Sequence, residues 1–199
     1  MMIKVYGMSL SGNCYKLKLL LNLISQEHQW IEVDILNGET QTPDYLKKNP
    51  NGKVPLLEID GTYLPESNAG LYYLSQNTPY FPTGKLEQAQ VLQWMFFEQY
   101  SHEPAIAVAR FINLFLPSDH PRRDSLPELL KKGYQALAVL EQQLNKTTWL
   151  VGDKPSIADI ALYAYTHVAT DGDFELTRFP KINQWMTGIQ QLPNYIPMV

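Results

Sequence analysis

The first part of the chain alternates short strand-like runs with helix-like runs. Residues 3–7 (IKVYG) have the pattern of a strand, and residues 14–24 (CYKLKLLLNLI) have the leucine content of a buried helix. In residues 30–35 (WIEVDI), apolar and acidic side chains alternate, as they do in a strand with one buried face. A strand, a helix and a second strand form a βαβ unit, so we expect these two strands to pair in parallel.

The pattern that follows completes a small α/β domain. A short helix is expected in the polar segment around Pro43, and residues 54–60 (VPLLEID) have the pattern of a strand. Residues 61–67 (GTYLPES) supply a turn and a return strand, after which residues 67–76 (SNAGLYYLSQ) are helical in pattern. The order β-α-β-α-β-β-α is that of a thioredoxin-like domain, which we assign to residues 1–77.

The pattern then changes to helices alone. Residues 78–85 contain two prolines and a glycine without apolar periodicity, and they are interpreted as a linker. An all-α bundle is predicted for residues 86–199, with Pro104 expected to bend or break its first long helix. Ser156 and Asp159 have the spacing of a capping box at the start of another helix. The predicted helical segments are 86–116, 126–144, 155–170 and 179–192.

Composition narrows the possible functions. The chain has 199 residues, of which 45% are hydrophobic, and a net charge of −4 with scattered Lys and Arg. This disfavours a nucleic-acid or anionic membrane surface. No apolar run reaches the roughly 18 residues that span a bilayer, and the N-terminus lacks a signal-peptide pattern. One cysteine and four histidines without metal-ligand spacing predict no metal site, and we expect a cytoplasmic protein.

The turn between the first strand and first helix carries the first candidate chemistry, in residues 11–14 (SGNC). Redox enzymes with a thioredoxin-like fold have C-x-x-C at this turn. A leading serine removes the nucleophile for disulfide exchange but keeps a hydroxyl donor at the positive end of a helix, which suits a thiolate brought in by a cofactor. The alternative is that Ser11 or Asn13 only caps the helix. Cys14 is expected to face inward as an inert thiol.

Two further motifs suit a small peptide. In residues 51–55 (NGKVP), a cis X-Pro bond would turn the main chain of Val54 outward to pair with an extended peptide, although an ordinary turn into an edge strand has the same pattern. Glu66 and Ser67 offer a carboxylate for an ammonium group, and a hydroxyl and N–H groups for a carboxylate. They could equally be a helix cap. Together the three motifs fit a peptide with a thiol, a free amino-acid end and an opposite carboxylate.

These motifs carry a family resemblance. SGNC, NGKVP, PES-A---YL and VGDKPSIADIAL occur in the order and spacing of soluble glutathione transferases. The chain resembles the serine-type, theta-like bacterial members over nearly all of its length. The resemblance implies a thioredoxin-like N-terminal domain, an all-α C-terminal domain, and a homodimer that conjugates glutathione, its co-substrate, to small electrophiles in detoxification.

The resemblance also implies the roles of individual residues. Ser11 corresponds to the serine that hydrogen-bonds the glutathione sulfur, with Asn13 assisting, although Tyr6 and Ser9 are nearby hydroxyls. The loop 37–43 (NGETQTP) lacks a basic residue that many relatives direct at the glycyl carboxylate. The implied glutathione-binding residues are Lys53 for the glycyl carboxylate, Val54 for the cysteinyl main chain, Pro55 as the cis-proline, and Glu66 and Ser67 as the γ-glutamyl clamp.

The sequence gives fewer indications for the electrophile pocket and the subunit interface than for glutathione binding. Met8, Leu10, Phe111 and Phe115 are candidates for an apolar electrophile pocket, and the two phenylalanines could instead be bundle core. The polar candidates nearby are Tyr100, His102 and Arg110. The dimer is expected to use the helix at 66–76 and the helix after 86, with Phe96 or Phe97 facing the partner. Two alternative functions are a glutathione-dependent peroxidase or reductase and a non-catalytic binding module with the same fold.

Overall fold

The structure, a computed structural model, describes residues 2–198, which divide into two compact units. The first unit holds the chain up to Thr78 together with the segment that begins at Leu192, and the second spans Pro79–Gln191. The hydroxyl of Tyr15 donates to the carbonyl of Ile196 over 2.7 Å, so the C-terminal segment packs on the first unit. The sequence boundaries at 77 and 86 stay a prediction.

The first unit is built on a mixed four-stranded sheet with the order β2-β1-β3-β4. Strand β1 pairs with β2 in parallel, and β3 is antiparallel to both β1 and β4. The predicted order of elements is therefore confirmed. The elements are β1 Ile3–Gly7, α1 Gly12–Leu23, β2 Gln29–Glu32, α2 Pro43–Lys48, β3 Leu56–Ile59, β4 Thr62–Pro65 and α3 Ser67–Ser75.

The second strand is shorter than predicted. Strand β2 ends at Glu32, whereas the alternating pattern runs to residue 35. The carboxylate of Asp34 accepts hydrogen bonds from the main-chain N–H groups of Leu36 and Asn37, at 3.0 and 3.1 Å. This local bonding replaces ladder hydrogen bonds with a turn, which ends the strand.

Helices α1 and α3 pack closely because of one glycine. A Cβ atom at Gly70 would lie 2.8 Å from Cδ2 of Leu17, which is closer than side chains tolerate. Leu17 is almost fully buried. Glycine inside a helix costs about 1 kcal/mol relative to alanine, and here it allows the leucine of α1 to contact the backbone of α3.

The second unit is helical, as predicted: none of its residues, Pro79–Gln191, lies in a strand. A π-helical turn at Glu98–His102 interrupts the first long helical segment. Pro104 follows directly, and the N–H of Glu103 still donates to the carbonyl of Glu98, so the segment is locally rewound at the proline rather than broken. No helix among residues 2–198 is long and apolar enough to cross a membrane. The helices are α4 Lys85–Phe97, α5 Glu103–Phe115, α6 Leu126–Leu144, α7 Ile157–Thr166 and α8 Pro180–Gln190.

The predicted capping box is present at the start of α7. Ser156 Oγ accepts from the N–H of Ala158, and Asp159 Oδ2 accepts from the N–H of Ser156 over 2.8 Å. Asp159 also accepts from the N–H of Leu150 and from Nε1 of Trp185, at 3.0 and 2.9 Å. The box therefore ties the buried helix α7 to both α8 and the preceding loop.

Candidate functional site

Ser11 is the N-cap of α1 and lies in the loop that follows β1. Its backbone is extended, with φ −86° and ψ 122°, and its Oγ accepts from the N–H of Cys14 over 3.4 Å. The capping interpretation is therefore confirmed. A serine hydroxyl has one proton and two acceptor lone pairs, so a cap that uses a lone pair leaves the proton to donate elsewhere. The cap and a thiolate donor are compatible roles.

The two alternative hydroxyls, those of Ser9 and Tyr6, already donate hydrogen bonds to carboxylates of the protein. Ser9 Oγ donates to Glu32 Oε2 over 2.8 Å, and the hydroxyl of Tyr6 donates to Glu58 Oε2 over 2.6 Å. Burial and then the bond to Glu58 raise the pKa of Tyr6, so its phenol stays protonated. Neither hydroxyl is as well placed as Ser11 to donate to a ligand.

Glu32 anchors the loop that carries Ser11. Its carboxylate accepts from the N–H of Ser9 over 2.8 Å and from Nε1 of Trp30 over 2.7 Å, in addition to the Ser9 hydroxyl. Burial acts to raise the pKa of Glu32, but the hydrogen bonds from Trp30 and Ser9 outweigh it and lower the pKa. The sequence gives no sign of this anchor, since Glu32 and Trp30 belong to an ordinary strand pattern.

Packing behind the loop leaves no room for a side chain at Gly7. A Cβ atom there would lie 2.9 Å from Cη2 of Trp30 and 3.0 Å from Cβ of Cys14. Cys14 faces inward as predicted, with no exposed surface, and burial raises the pKa of its thiol to about 12. A thiol this buried and this weakly acidic is a poor nucleophile at neutral pH.

The main chain around Val54 is held by side chains of a neighbouring helix and loop. The hydroxyl of Tyr45 and Nδ2 of Asn49 each donate to the carbonyl of Lys53 over 2.8 Å. The Val54–Pro55 bond is cis, as the resemblance implies. Among residues 2–198, the N–H and C=O groups of Val54 form no hydrogen bond, so they can pair with an extended ligand. The side chain of Lys53 is exposed.

Glu66 has a strained backbone and an uncommitted carboxylate. Its φ of +72° and ψ of 114° are unusual for a residue with a side chain. It occupies the N-cap position of α3, yet its side chain makes no cap hydrogen bond, so the cap interpretation is wrong for this carboxylate. Glu66 is exposed and forms no ion pair within residues 2–198. Strain at an exposed acidic residue points to a functional position.

Ser67 is buried and links the two helix N-termini. Its Oγ accepts from Nζ of Lys16 and donates to Oδ1 of Asn13, both over 3.3 Å. Ser67 is the first helical residue of α3, so its N–H has no partner within the helix and can meet a carboxylate. Asn13 and Ser67 are thus brought together. Lys16 was missed by sequence analysis because it falls in a leucine-rich helical run.

Strand register brings the three motifs to one edge of the sheet. Leu56, at the start of β3, pairs with Tyr6 near the end of β1 and with Pro65 at the end of β4. The Ser11 loop follows β1, Val54 precedes β3, and Glu66 follows β4. All three therefore leave the sheet at the same edge.

The four predicted electrophile residues belong to different units. Met8 is half-buried and Leu10 is 43% exposed, both in the first unit. In the second unit, Phe111 and Phe115 are half-buried with ring centroids 5.2 Å apart, so they are not full members of the bundle core. Their role with an electrophile stays a prediction.

The three polar candidates have different surroundings. His102 is completely buried and bonded to Thr166 at 2.9 Å, and Arg110 is 5% exposed and donates to Asp171 over 2.9 Å. Tyr100, by contrast, is 88% exposed. Of the three, only Tyr100 has a side chain that is open to a ligand from solvent.

Comparison with known proteins finds similarity along both the N-terminal and the C-terminal part of the chain. The family models for the N-terminal and C-terminal domains of glutathione S-transferase match residues 1–76 and 101–193. A probable glutathione S-transferase of rice (Oryza sativa subsp. japonica), GSTF2, is 32% identical, with 96% of this chain and 93% of that protein covered. A disulfide-bond oxidoreductase of Escherichia coli K12, YfcG, is 28% identical over 91% of this chain and 87% of its own length. The crystal structure of a glutathione S-transferase from Pseudomonas fluorescens has 56% identity and a TM-score of 0.96, covering 99% of this chain and 98% of that one.

Proposed function

Because the chain belongs to the glutathione S-transferase family, we propose that this enzyme binds glutathione on its first unit and activates the glutathione thiol for attack on a small electrophile. The observation that carries the mechanism is the hydrogen bonding of Ser11. Among the three hydroxyls near the end of β1, Ser11 is the one that does not donate to a carboxylate, and its Oγ accepts from the N–H of Cys14.

Ser11 would stabilise the thiolate by donating its proton in a hydrogen bond to sulfur. The thiol proton leaves to solvent, the sulfur lone pair forms a bond to the electrophilic carbon, and the leaving group departs with the electrons of its bond. The protein supplies no covalent nucleophile. The N-terminus of α1 adds a smaller favourable potential for the negative sulfur.

The rest of glutathione would be held by the residues at the same sheet edge. The carboxylate of Glu66 meets the γ-glutamyl ammonium, and the N–H of Ser67 meets the adjacent carboxylate. The open N–H and C=O of Val54, beside the cis Pro55, pair with the cysteinyl main chain. Lys53 is exposed and basic, which suits the glycyl carboxylate. Asn13, at the start of α1, is proposed to assist Ser11 at the sulfur, and its Oδ1 also accepts from the hydroxyl of Ser67.

The electrophile is expected to be small and mainly apolar. Met8, Leu10, Phe111 and Phe115 are our candidates for the residues that contact it, since each keeps some exposed apolar surface. Disulfide chemistry through the protein is disfavoured, because the leading position of the turn is serine and the only cysteine is a buried thiol with a pKa of about 12. Cys14 therefore does not make this chain an oxidoreductase.

We also propose a cytoplasmic homodimer. Helix α3 exposes Tyr72 and Tyr73, at 44% and 42%, and Phe96 on α4 is 70% exposed, whereas Phe97 packs on Trp94. Large exposed apolar side chains of this kind are suited to a subunit interface. Light scattering at micromolar concentration should give twice the mass of one chain. Phe96→Glu should lower the measured mass toward that of one chain. A monomer would contradict the dimer.

The function is tested by binding and turnover together. Calorimetry should detect glutathione binding, and the enzyme should conjugate glutathione to aryl halides faster than it reduces hydroperoxides or mixed disulfides. Failure to bind glutathione would overturn the proposal. Faster peroxide or disulfide reduction would replace conjugation with the alternative activity.

A further inference from the structure

A lysine is completely buried beside the proposed γ-glutamyl clamp. Lys16 lies in α1 with no exposed surface. Its Nζ donates to Oγ of Ser67 over 3.3 Å and to Oδ1 of Asn68 over 3.2 Å. These are the first two residues of α3, so the positive charge of Lys16 lies next to the N-terminus of that helix.

Two general effects act on a positive charge at this location. Burial removes the ammonium group from water, which is costly even when the group is hydrogen-bonded. The N-terminus of a helix carries partial positive charge and favours anions, so a cation there is repelled by the helix dipole. A bound carboxylate at the same N-terminus would be attracted both by the helix N-terminus and by the charge of Lys16.

We propose that Lys16 is a positioning residue for the γ-glutamyl end of glutathione, an inference that rests on the proposed function. Lys16 holds the side chains of Ser67 and Asn68, which orients the first turn of α3 toward the ligand. Its buried charge also strengthens attraction for the α-carboxylate of the γ-glutamyl residue. Asn13 completes the arrangement by accepting the hydroxyl proton of Ser67.

The test compares two ligands that differ only in that carboxylate. One is glutathione, and the other is 4-aminobutyryl-cysteinylglycine, which keeps the amino group, the thiol and the glycyl end. Lys16→Gln removes the charge and keeps a polar end, and it should weaken glutathione about tenfold or more by calorimetry. Its affinity for the analogue should stay within about twofold. Lys16→Arg keeps the charge and should restore most of the affinity for glutathione.

Lys18 provides a matched control. It lies on the same helix, is half-buried, and has its Nζ 5.3 Å from the ring centroid of Trp30 rather than against α3. Lys18→Gln should leave the affinity for both ligands unchanged. A loss in this variant equal to that of Lys16→Gln would show a general effect of removing positive charge and would overturn the proposal.

Other outcomes separate this inference from the proposed function. If Lys16→Gln weakens both ligands equally, or neither, the charge does not act on the carboxylate, while glutathione binding by the unaltered protein still stands. If the unaltered protein does not bind glutathione, both the function and the inference fail. Lys16→Met serves as a second neutral variant, and unfolding of both neutral variants would show a purely structural role and overturn the proposal.

Discussion

Ser9 donates its hydroxyl proton to Glu32 over 2.8 Å, so this serine anchors its loop instead of facing a ligand with a donor. Ser11, two residues later, accepts from the N–H of Cys14 and donates to no carboxylate within residues 2–198. Two serines in one loop therefore have opposite hydrogen-bonding roles. Alanine substitution of each serine should therefore have different effects on a bound thiol.

Ser11→Ala should raise the pKa of the bound glutathione thiol. A hydrogen bond to a charged group contributes roughly 1.5 to 3 kcal/mol, and one pKa unit corresponds to about 1.36 kcal/mol, so the expected rise is about one to two units. Conjugation near neutral pH should fall about ten- to a hundredfold, and less at alkaline pH. The measurement is thiolate absorbance of the glutathione complex against pH.

Ser9→Ala is the control for that titration, because it removes a neighbouring hydroxyl that already donates a hydrogen bond to Glu32. Its bound thiol should titrate close to that of the unaltered protein. Coincident curves for Ser11→Ala and the unaltered protein would remove Ser11 from the mechanism and direct attention to Asn13.

Substitutions at Glu66 should separate ligand binding from backbone strain. Glu66→Ala and Glu66→Gly both remove the carboxylate, and each should raise the dissociation constant of glutathione about ten- to a hundredfold by calorimetry. Glycine tolerates the φ of +72°, so Glu66→Gly should be more stable than Glu66→Ala by about 1 kcal/mol in denaturant unfolding. Equal stability of the two variants would show that the backbone is not strained.

Acid should weaken the first unit through Glu58. Hydrogen bonds from Lys4 over 2.8 Å and from Tyr6 over 2.6 Å lower the pKa of this carboxyl below its ordinary value of 4.5. A lowered folded pKa contributes stability that is present above the unfolded value and is lost as pH falls through the folded value. Glu58→Gln should therefore lower the melting temperature at pH 7, and the difference should shrink below about pH 4.

Asp44 is a suitable control for Glu58, because its ion pair with Lys47 is highly exposed on both sides. Asp44→Asn should leave the melting temperature nearly unchanged, since exposed pairs contribute little. A difference for Glu58→Gln that persists undiminished at low pH would assign the effect to packing rather than ionisation.

Asp159→Asn should destabilise the second unit strongly. The carboxylate accepts four hydrogen bonds, two on each oxygen, from Leu150, Trp185 and both the N–H and the hydroxyl of Ser156. Asparagine has one acceptor oxygen and would place an NH₂ group against two of these donors. We expect a loss of about 3 kcal/mol, against about 1 kcal/mol for Ser156→Ala, in chemical unfolding. Similar losses for the two variants would contradict this assignment.

Features that depend on neighbours in sequence were predicted well. The Ser11 cap and the capping box of Ser156 and Asp159 are hydrogen bonds between residues two or three positions apart, so residue spacing alone indicates them. The order of strands and helices also follows from local apolar periodicity. The end of β2 was missed because Asp34 bonds its own following residues, a competition that the alternating pattern does not register.

By itself, the sequence determined the α/β and all-helical halves and the inward Cys14, and it indicated the three motifs proposed to bind glutathione, because apolar periodicity and turn residues act over a few positions. Only the tertiary structure decided which hydroxyls donate to carboxylates, since Ser9 and Glu32 are 23 positions apart and Tyr6 and Glu58 are 52 apart. It likewise placed the buried Lys16 against α3, 51 positions away. The physical reason is that packing brings charges and hydrogen-bond donors from distant segments to one edge of a sheet, where their partners depend on strand register and helix packing.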